Sequence, residues 1–279
     1  MKKIIYILCT ISIYATLQAK SWVPVVIDEI TIFVPQSVEL NNKQRSVADK
    51  IISIFENGTT TIQYEYAEVN PGDEEHGITA GRLGFTSATG DMLELLEHHY
   101  NVAPLSNYIE ELKRLNALYM ENNYTLSDDP EGSMNIKYLD GLIEDWKEEG
   151  KKPAFQHAQD KYLDEHYYYP ALEEAREIGL ALPLSALCLY DCAIQHGVEG
   201  LKEIIRSVKL SYPHTQKEEV TWIKQFNKNR LEVLKNTSYW KDSLYRVETL
   251  NDLLTSEKYF LNITKVVIRS WDDEEFIID

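Results

Sequence analysis

The residues of this sequence best suited to acid–base catalysis are one glutamate and a run of three carboxylates, separated by a short segment. Glu56 comes at the end of an apolar helical pattern, where partial desolvation would make a carboxyl hold its proton more tightly. Asp73, Glu74 and Glu75 follow after a predicted strand and turn. A protonated carboxyl that faces an ionised one across a cleft is the minimum equipment for hydrolysing a glycosidic bond. Because the chain has 45 acidic residues, this pairing by itself identifies no enzyme.

The elements that must position these carboxylates are predicted to be mostly helical. Alternation at Ile62, Tyr64 and Tyr66 predicts a short strand, and four glycines between residues 73 and 90 indicate strand and loop. Pro183 predicts a kink, or a break between two helices. Three- and four-residue periodicity predicts helices over residues 37–55, 92–100, 105–120, 136–147, 154–167, 171–196, 201–208, 218–235 and 240–254. Extended segments are predicted over residues 23–34, 266–268 and 276–278.

This order of elements predicts a mainly α protein of the α+β class, with a small β region in its N-terminal third. Two lobes with a central cleft between them would suit a polymer substrate. Residues 1–19 combine two lysines, an apolar run and a small residue, which is typical of a secretory signal peptide. An uncleaved membrane anchor is the alternative. We therefore expect a secreted catalytic domain over residues 20–279, with an N-terminal extension at about 20–36.

The charge of the chain restricts its partners. The net charge is −17, and loss of the first 19 residues would remove two lysines and make it more negative. Such a surface repels nucleic acid, whose phosphates need Lys and Arg, and it attracts polycations. The acidity also serves to keep a secreted protein soluble, so charge alone identifies no ligand.

Cysteine and histidine spacing indicates neither a disulfide framework nor a metal site. Cys188 and Cys192 lie four apart in an apolar helical pattern, which predicts two buried thiols. The remaining candidates lack metal-ligand spacing and are interpreted as surface or packing histidines: His98, His99, His157 and His166. We expect no metal and no organic cofactor.

The segment over residues 54–95 contains a series of short motifs: Glu56-Asn57, Tyr64 and Tyr66, Gly72 to Gly77, Thr79-Ala80-Gly81, Gly84-Phe85 and Gly90-Asp91. Together they resemble the signature of the glycoside hydrolase family 46 chitosanases, which have a lysozyme-like fold. Further similarity lies at Ala158-Gln159-Asp160, at Tyr168, Pro170 and Ala171, at Tyr190-Asp191, at His196-Gly197 and over residues 261–278. The resemblance therefore covers nearly the whole chain after the predicted signal peptide.

The resemblance implies a role for each catalytic position. The family's general acid falls on Glu56, and its general base falls on Glu74 by register or on Asp73 by residue type. Thr79 matches a threonine that holds the attacking water, and its alternative role is in turn packing. Asp91 matches a carboxylate that pairs with a glucosamine ammonium, and it could also cap a helix.

Other positions are candidates for substrate binding or depart from the family pattern. Tyr64, Arg82, Asp160 and Arg230 are further substrate-binding candidates, with Arg230 matching an arginine behind the active site. His76, also a candidate, replaces the family's arginine two residues after the base. Thr237 stands where a glutamate is expected seven residues after Arg230. Both changes predict an altered charge network.

The expected activity is endo-acting hydrolysis of the β-1,4 bonds of chitosan by a single displacement that inverts the anomeric centre. The protein is expected to act as a secreted monomer, without nucleic acid and without a membrane after signal removal. Two alternatives remain open: a lysozyme-like hydrolase of chitin or peptidoglycan, and a catalytically impaired protein that binds chitosan or other polycations.

Overall fold

Helices dominate the part of the chain that the structure, a computed structural model, describes. That part comprises residues 22–27, 30–35, 38–69, 77–123, 135–237, 242–263, 266–269 and 275–278. The helices are α1 (Asn42–Asn57), α2 (Asp91–Glu94), α3 (Ile109–Glu121), α4 (Leu142–Gly150), α5 (Pro153–Leu163), α6 (Tyr169–Ile178), α7 (Pro183–Ser207), α8 (Gln216–Asn236) and α9 (Leu244–Thr255). Short π-helical segments follow α2 (Leu95–His99) and α5 (Asp164–Tyr168), and a 3₁₀ turn (Leu105–Tyr108) precedes α3. The mainly α prediction is confirmed.

The strands form three small antiparallel units. Strands β1 (Trp22–Ile27) and β2 (Ile30–Pro35) form a hairpin, which agrees with the extended pattern predicted there. Strands β3 (Ala67–Val69), β4 (Ile78–Ala80) and β5 (Phe85–Thr86) form a sheet in that order. Strands β6 (Val266–Arg269) and β7 (Glu275–Ile278) pair near the C-terminus.

Two apolar cores divide the helices between them and give the molecule its two lobes. The first core is built mainly from apolar side chains of α1, α6, α7, α8 and α9, with Leu163 at the end of α5 and Ile278 of β7. The second packs the sheet β3–β4–β5 against α2, α3, α4 and α5. Leu83 and Tyr167 are partly buried and pack against both cores. These two residues therefore lie where the lobes meet.

Helix α1 has a well-defined start and end, and these fix the position of the carboxyl near its C-terminus. Asn41 and Gln44 form a capping box, in which each side chain accepts from the other's backbone N–H at 3.0 Å. This cap explains why the helix begins at Asn42 and not at the predicted residue 37. Gly58 ends the helix with φ 61°, a left-handed conformation that costs glycine little.

Helix α7 is the central helix of the first core. The break predicted at Pro183 is confirmed, since α6 ends at Ile178 and proline occupies the first turn of α7, where its missing N–H costs nothing. Cys188 and Cys192 on this helix are free, buried thiols, as predicted. Burial raises the pKa of each thiol to about 12.

The strand predicted from Ile62, Tyr64 and Tyr66 is wrong, because only Ala67–Val69 pairs in the sheet. The backbone carbonyl of Tyr64 instead accepts from Trp146 Nε1 and from Gln159 Nε2, each at 3.1 Å. These side-chain donors on α4 and α5 take the place of a strand neighbour.

Candidate active site

Glu56 is the second-last residue of α1 and carries a carboxyl at the edge of the first core. Its side chain is 21% exposed, and Oε1 accepts from Arg246 Nη1 at 2.6 Å. Arg246 lies on α9 and is 5% exposed. Within the described residues Glu56 Oε2 has no hydrogen-bond partner, so one carboxyl oxygen is held by the protein and the other is available.

A buried chain of charges continues behind Glu56. Arg246 donates to Asp191 Oδ1 through Nη2 at 2.6 Å and through Nε at 3.1 Å. Arg230 Nη1 donates to Asp191 Oδ2 at 2.6 Å, and Arg230 Nη2 donates to Gln195 Oε1. Burial alone would raise the pKa of Asp191, but the two guanidinium groups outweigh burial and hold this pKa below its usual value. We refer to Glu56, Arg246, Asp191 and Arg230 as the acid-side cluster.

His196 completes the far end of this cluster as a neutral ring. Its Nε2 accepts from Arg230 Nε at 3.3 Å, and an arginine N–H can only donate, so this nitrogen carries no proton. Burial and the neighbouring Arg230 lower the pKa of His196 to about 3. The ring therefore stays neutral through the mildly acidic range.

Thr79 lies at the middle of β4, on the face of the sheet away from the second core. Its neighbours Ile78 and Ala80 are buried in that core, while Thr79 is half-buried. The antiparallel register pairs Thr79 with Glu68 on β3 and with Thr86 on β5, so the three side chains share one face. The hydroxyl can both donate and accept, as a residue that orients a water must.

Asp91 begins α2 next to the same face of the sheet. Its Oδ1 accepts from the backbone N–H groups of Thr86 at 2.9 Å and Met92 at 2.8 Å, and from Thr89 Oγ1 at 3.1 Å. Burial raises the pKa of Asp91, while these donors act in the opposite direction. Asp91 Oδ2 accepts no hydrogen bond from the described residues. Asp91, Glu94 and Glu97 line a cavity of about 450 Å³.

A second cluster of charges surrounds Arg82, in the turn between β4 and β5. The Arg82 side chain is 3% exposed; Nη2 pairs with Asp49 on α1 at 3.2 Å, and Nη1 pairs with Asp160 on α5. Asp160 also accepts from Tyr64 Oη at 2.8 Å. Burial and the Asp160 carboxylate raise the pKa of Tyr64. We refer to Arg82, Asp49, Asp160 and Tyr64 as the bridging cluster.

Arg45 adjoins the bridging cluster from the solvent side of α1. Its Nε pairs with Asp49 at 3.1 Å, and its Nη2 pairs with Asp164 at 2.6 Å. The guanidinium lies 4.0 Å from the ring centroid of Tyr168, a cation–π contact. Arg45 therefore ties α1 to the π-helical segment after α5.

Glu56 and Arg230 lie in the acid-side cluster, and Tyr64, Arg82 and Asp160 lie in the bridging cluster. Thr79 lies in the sheet, with Asp91 beside it. Asp73, Glu74 and His76 lie outside the described residues. Arg82 and Arg230 are buried, and their side chains donate to protein groups: to two carboxylates from Arg82, and to Asp191, Gln195 and His196 from Arg230. These contacts favour an indirect role in substrate binding. Thr237 ends α8 with its hydroxyl donating to Val233 O at 2.9 Å.

Sequence reasoning missed Arg246, which is the direct partner of Glu56. It falls in the predicted helix over residues 240–254 between Tyr245 and Val247. A basic residue on the apolar face of a helix is a signal for a buried ion pair, and that signal could have identified it.

Of the four histidines predicted to be surface or packing residues, His98 and His157 are exposed, and His99 and His166 pack against an aromatic ring. His166 stacks on Tyr162 with ring centroids 3.9 Å apart, and its Nε2 lies 2.9 Å from Glu94 Oε1. His99 meets the same tyrosine edge-on at 5.6 Å. Across the described part of the chain, no group of three or more His, Cys, Asp or Glu is arranged to hold a metal ion. None of the helices described there is long and apolar enough to cross a membrane.

Comparisons with known proteins identify close relatives of this chain. The model of the family described as glycosyl hydrolase family 46 matches residues 50–264. A chitosanase of Bacillus subtilis (strain 168) is 32% identical over 255 residues, which cover 86% of this chain and 86% of that protein. A chitosanase of Streptomyces sp. (strain N174) is 30% identical over 158 residues, 55% of this chain and 51% of that protein.

Solved structures match over most of the chain. The complex of a family 46 chitosanase of Gynuella sunshinyii with chitotetraose has a TM-score of 0.70 and 36% identity, covering 86% of this chain and 99% of that one. The native chitosanase of Bacillus subtilis MY002 has a TM-score of 0.70 and 32% identity, covering 86% and 100%. A glutamate-to-alanine variant of that enzyme, complexed with six glucosamine units, matches equally well.

Proposed function

This chain belongs to glycosyl hydrolase family 46, and from that premise we propose that it is a chitosanase that cuts β-1,4 bonds within the chitosan chain. The observation that carries the proposal is the placement of Glu56, held through one oxygen by Arg246 with its other oxygen available. Relatives that match 86% of the chain are named as chitosanases, and two of the matching structures hold chitotetraose or six glucosamine units.

In the proposed reaction Glu56 is the general acid. Its proton passes to the glycosidic oxygen as the bond to the anomeric carbon breaks, and the carboxylate that remains is stabilised by Arg246. Arg246 is itself held by Asp191, so the guanidinium keeps its position while the charge on Glu56 changes. The acid-side cluster therefore supplies orientation and charge stabilisation to a single carboxyl.

The second half of the reaction needs a base on the opposite side of the sugar. We assign this role to Glu74 by register, with Asp73 as the alternative by residue type. The base takes a proton from a water held by Thr79, and the oxygen of that water bonds to the anomeric carbon in the same displacement. The configuration therefore inverts, and the proton on the base returns to solvent.

Substrate recognition follows from charge. Chitosan carries an ammonium group on each glucosamine, and the chain has a net charge of −17. We assign Asp91 Oδ2 to an ammonium group, with Glu94 in the same cavity adding negative potential, whereas the charge of Glu97 is offset by Lys113 at 3.0 Å. Tyr64 and Asp160 are candidates for contact with the sugar, since the Asp160 side chain is 38% exposed. Neutral chitin would gain little from these carboxylates.

The substrate and the stereochemistry can be tested together. We expect the purified protein to release reducing ends from chitosan at a rate at least tenfold higher than from chitin or peptidoglycan. Proton NMR of a fresh hydrolysate should show the α-anomer first, as inversion of a β-bond requires. Faster turnover of chitin or peptidoglycan would contradict the substrate assignment, and first appearance of the β-anomer would contradict inversion.

A protein that binds chitosan without cutting it is the second candidate, because His76 and Thr237 depart from the family pattern. The acid-side cluster is evidence against this second candidate. Its ion pairs connect Glu56 to Arg230 through Arg246 and Asp191, and none of them involves position 237. Binding to chitosan with no release of reducing ends between pH 4 and 7 would favour the second candidate.

Export remains part of the proposal. Residues 1–19 are proposed to direct secretion, which sequencing of the N-terminus of the exported protein would test. We also expect a monomer, to be checked by the mass measured in size-exclusion chromatography with light scattering.

A further inference from the structure

The turn between β4 and β5 is fixed to both lobes through one residue, Arg82. Its backbone N–H donates to Gln159 Oε1 at 3.1 Å, and its carbonyl accepts from Asn57 Nδ2 at 3.0 Å. Its guanidinium pairs with Asp49 and with Asp160. Two of these partners lie on α1 and two lie on α5.

The two helices belong to different cores. Helix α1 packs in the first core, and α5 packs mainly in the second, with only its last residue, Leu163, in the first. The partners on each helix form a pair: Asn57 and Asp49 are about two turns apart on α1, whereas Gln159 and Asp160 are adjacent on α5. Arg82 is therefore held by a backbone contact and a charge contact from each lobe.

The turn has little freedom to move away from α5. Gly81 has φ +74°, and a Cβ atom there would lie 2.6 Å from Gln159 Oε1 and 2.8 Å from the Trp146 ring. Gly81 N–H also donates to Tyr66 O at 2.7 Å. A backbone packed this closely transmits the position of α5 to the turn.

These contacts connect the two residues that are proposed to act on opposite sides of the sugar, Glu56 and Thr79. Asn57 follows the proposed acid Glu56 directly, and Arg82 lies three residues after Thr79, which is proposed to hold the attacking water. Strand β4 connects Thr79 to the turn that Arg82 anchors. The distance from the acid to the water thus depends on a path through Asn57, Arg82 and the β4–β5 turn.

We propose that Arg82 is a positioning residue that sets the separation between the Glu56 carboxyl and the water held by Thr79. Arg82 is buried and reaches no substrate itself, so its influence passes through the backbone of the turn. A misplacement of about 1 Å between reacting groups can reduce turnover on the order of 10²-fold. This inference rests on the proposed hydrolysis.

The test compares Arg82→Lys with Arg45→Lys. A lysine keeps the charge but lacks the planar fork that holds Asp49 and Asp160 together. Arg45 belongs to the same group of charges and pairs with Asp49 and Asp164, but within the described residues it forms no hydrogen bond or ion pair with the turn. Both variants lose a guanidinium that pairs with Asp49, but only in Arg82→Lys does the lost guanidinium belong to a residue of the turn.

We expect kcat on a chitosan oligomer of six units to fall about 10- to 100-fold in Arg82→Lys, with KM within about threefold of the parent. In Arg45→Lys we expect kcat within about twofold of the parent. Circular dichroism and the thermal midpoint measure the folded fraction, and kcat is expressed per folded molecule. Asn57→Ala removes the hydrogen bond to the Arg82 carbonyl without unpairing a charge. If Arg82→Lys does not fold, kcat and KM of Asn57→Ala test the same proposal.

Three results would overturn the inference. The first is a loss of kcat in Arg82→Lys no larger than in Arg45→Lys, because Arg82 would then be structural only. The second is a rise in KM with kcat unchanged, because Arg82 or Asn57 would then act on substrate binding. The third is a parent protein without activity on chitosan, which would overturn the proposed function as well. The assay of the parent alone distinguishes this result from the other two.

Discussion

At the centres of the acid-side cluster and the bridging cluster, aspartate and arginine occur in opposite arrangements. In the acid-side cluster the carboxylate of Asp191 lies between two arginines, and in the bridging cluster the guanidinium of Arg82 lies between two aspartates. The first cluster ends at the side chain of Glu56, whereas the second ends at the helices α1 and α5. The comparison indicates that one cluster orients a side chain and the other orients segments of backbone.

The clusters also differ in their access to water. The side chains of Asp191 and Arg230 are both 0% exposed, so neither can replace a lost partner with solvent. In the bridging cluster the side chains of Asp49 and Asp160 are 15% and 38% exposed. A buried charge that loses its partner is far more costly than an exposed one. We therefore expect variants of the two clusters to differ in stability.

The largest effect is expected from Asp191→Asn. This change leaves Arg230 and Arg246 buried beside a neutral amide, and the loss of a buried partner costs about 3–5 kcal/mol of unfolding free energy. Turnover per folded molecule should also fall, because Arg246 loses the contact that aims it at Glu56. Urea unfolding and the chitosan assay measure the two effects. If Asp191→Asn lost less than about 1 kcal/mol of unfolding free energy, the expected difference in stability between variants of the two clusters would be contradicted.

The stability difference between the parent and Asp191→Asn should depend on pH in one direction. Burial would raise the pKa of Asp191, but the two arginines hold it below the usual value. A group with a depressed pKa in the folded state contributes stability above the unfolded-state pKa of about 3.9 and loses it as pH falls through the folded-state pKa. We expect a constant difference above about pH 5 that shrinks below about pH 4, measured by unfolding at a series of pH values. A difference that grows toward acid would show that the pKa of Asp191 is raised.

The smallest effect is expected from Asp160→Asn in the bridging cluster. Because the Asp160 side chain is 38% exposed, we expect a loss of roughly 1 kcal/mol of unfolding free energy. Kinetics on the glucosamine hexamer should separate two roles for this residue. A fall in kcat would place it with Arg82 in positioning, and a rise in KM would place it in contact with substrate. A stability loss equal to that of Asp191→Asn would remove the distinction between the clusters.

Much of the fold could be predicted from the sequence because its signals are local. Helix α1, the break before Pro183 and the buried thiols of Cys188 and Cys192 follow from apolar periodicity and from proline geometry. The mainly α class and the position of Glu56 at the end of α1 follow from the same patterns.

The errors arise where the deciding contact is distant along the chain. Tyr64 alternates with polar residues as a strand would, but its carbonyl is satisfied by side chains 82 and 95 residues away. Arg246 lies 190 positions after Glu56, and nothing near it in sequence specifies that partner. Arg82 is a candidate from the sequence, while its attachment to both lobes depends on partners on α1 and α5 that lie between 25 and 78 positions away.

The most direct test of the account is the turnover of Glu56→Gln on chitosan, with the exposed Glu65→Gln as the matched control. The glutamine keeps the shape of the side chain but has no proton to give to the leaving oxygen. Because general acid catalysis contributes about 10²–10⁴-fold, we expect reducing-end release to fall by that factor in Glu56→Gln and to stay within about twofold of the parent in Glu65→Gln. A folded Glu56→Gln that keeps more than a tenth of the parent's turnover would contradict the assignment of the acid.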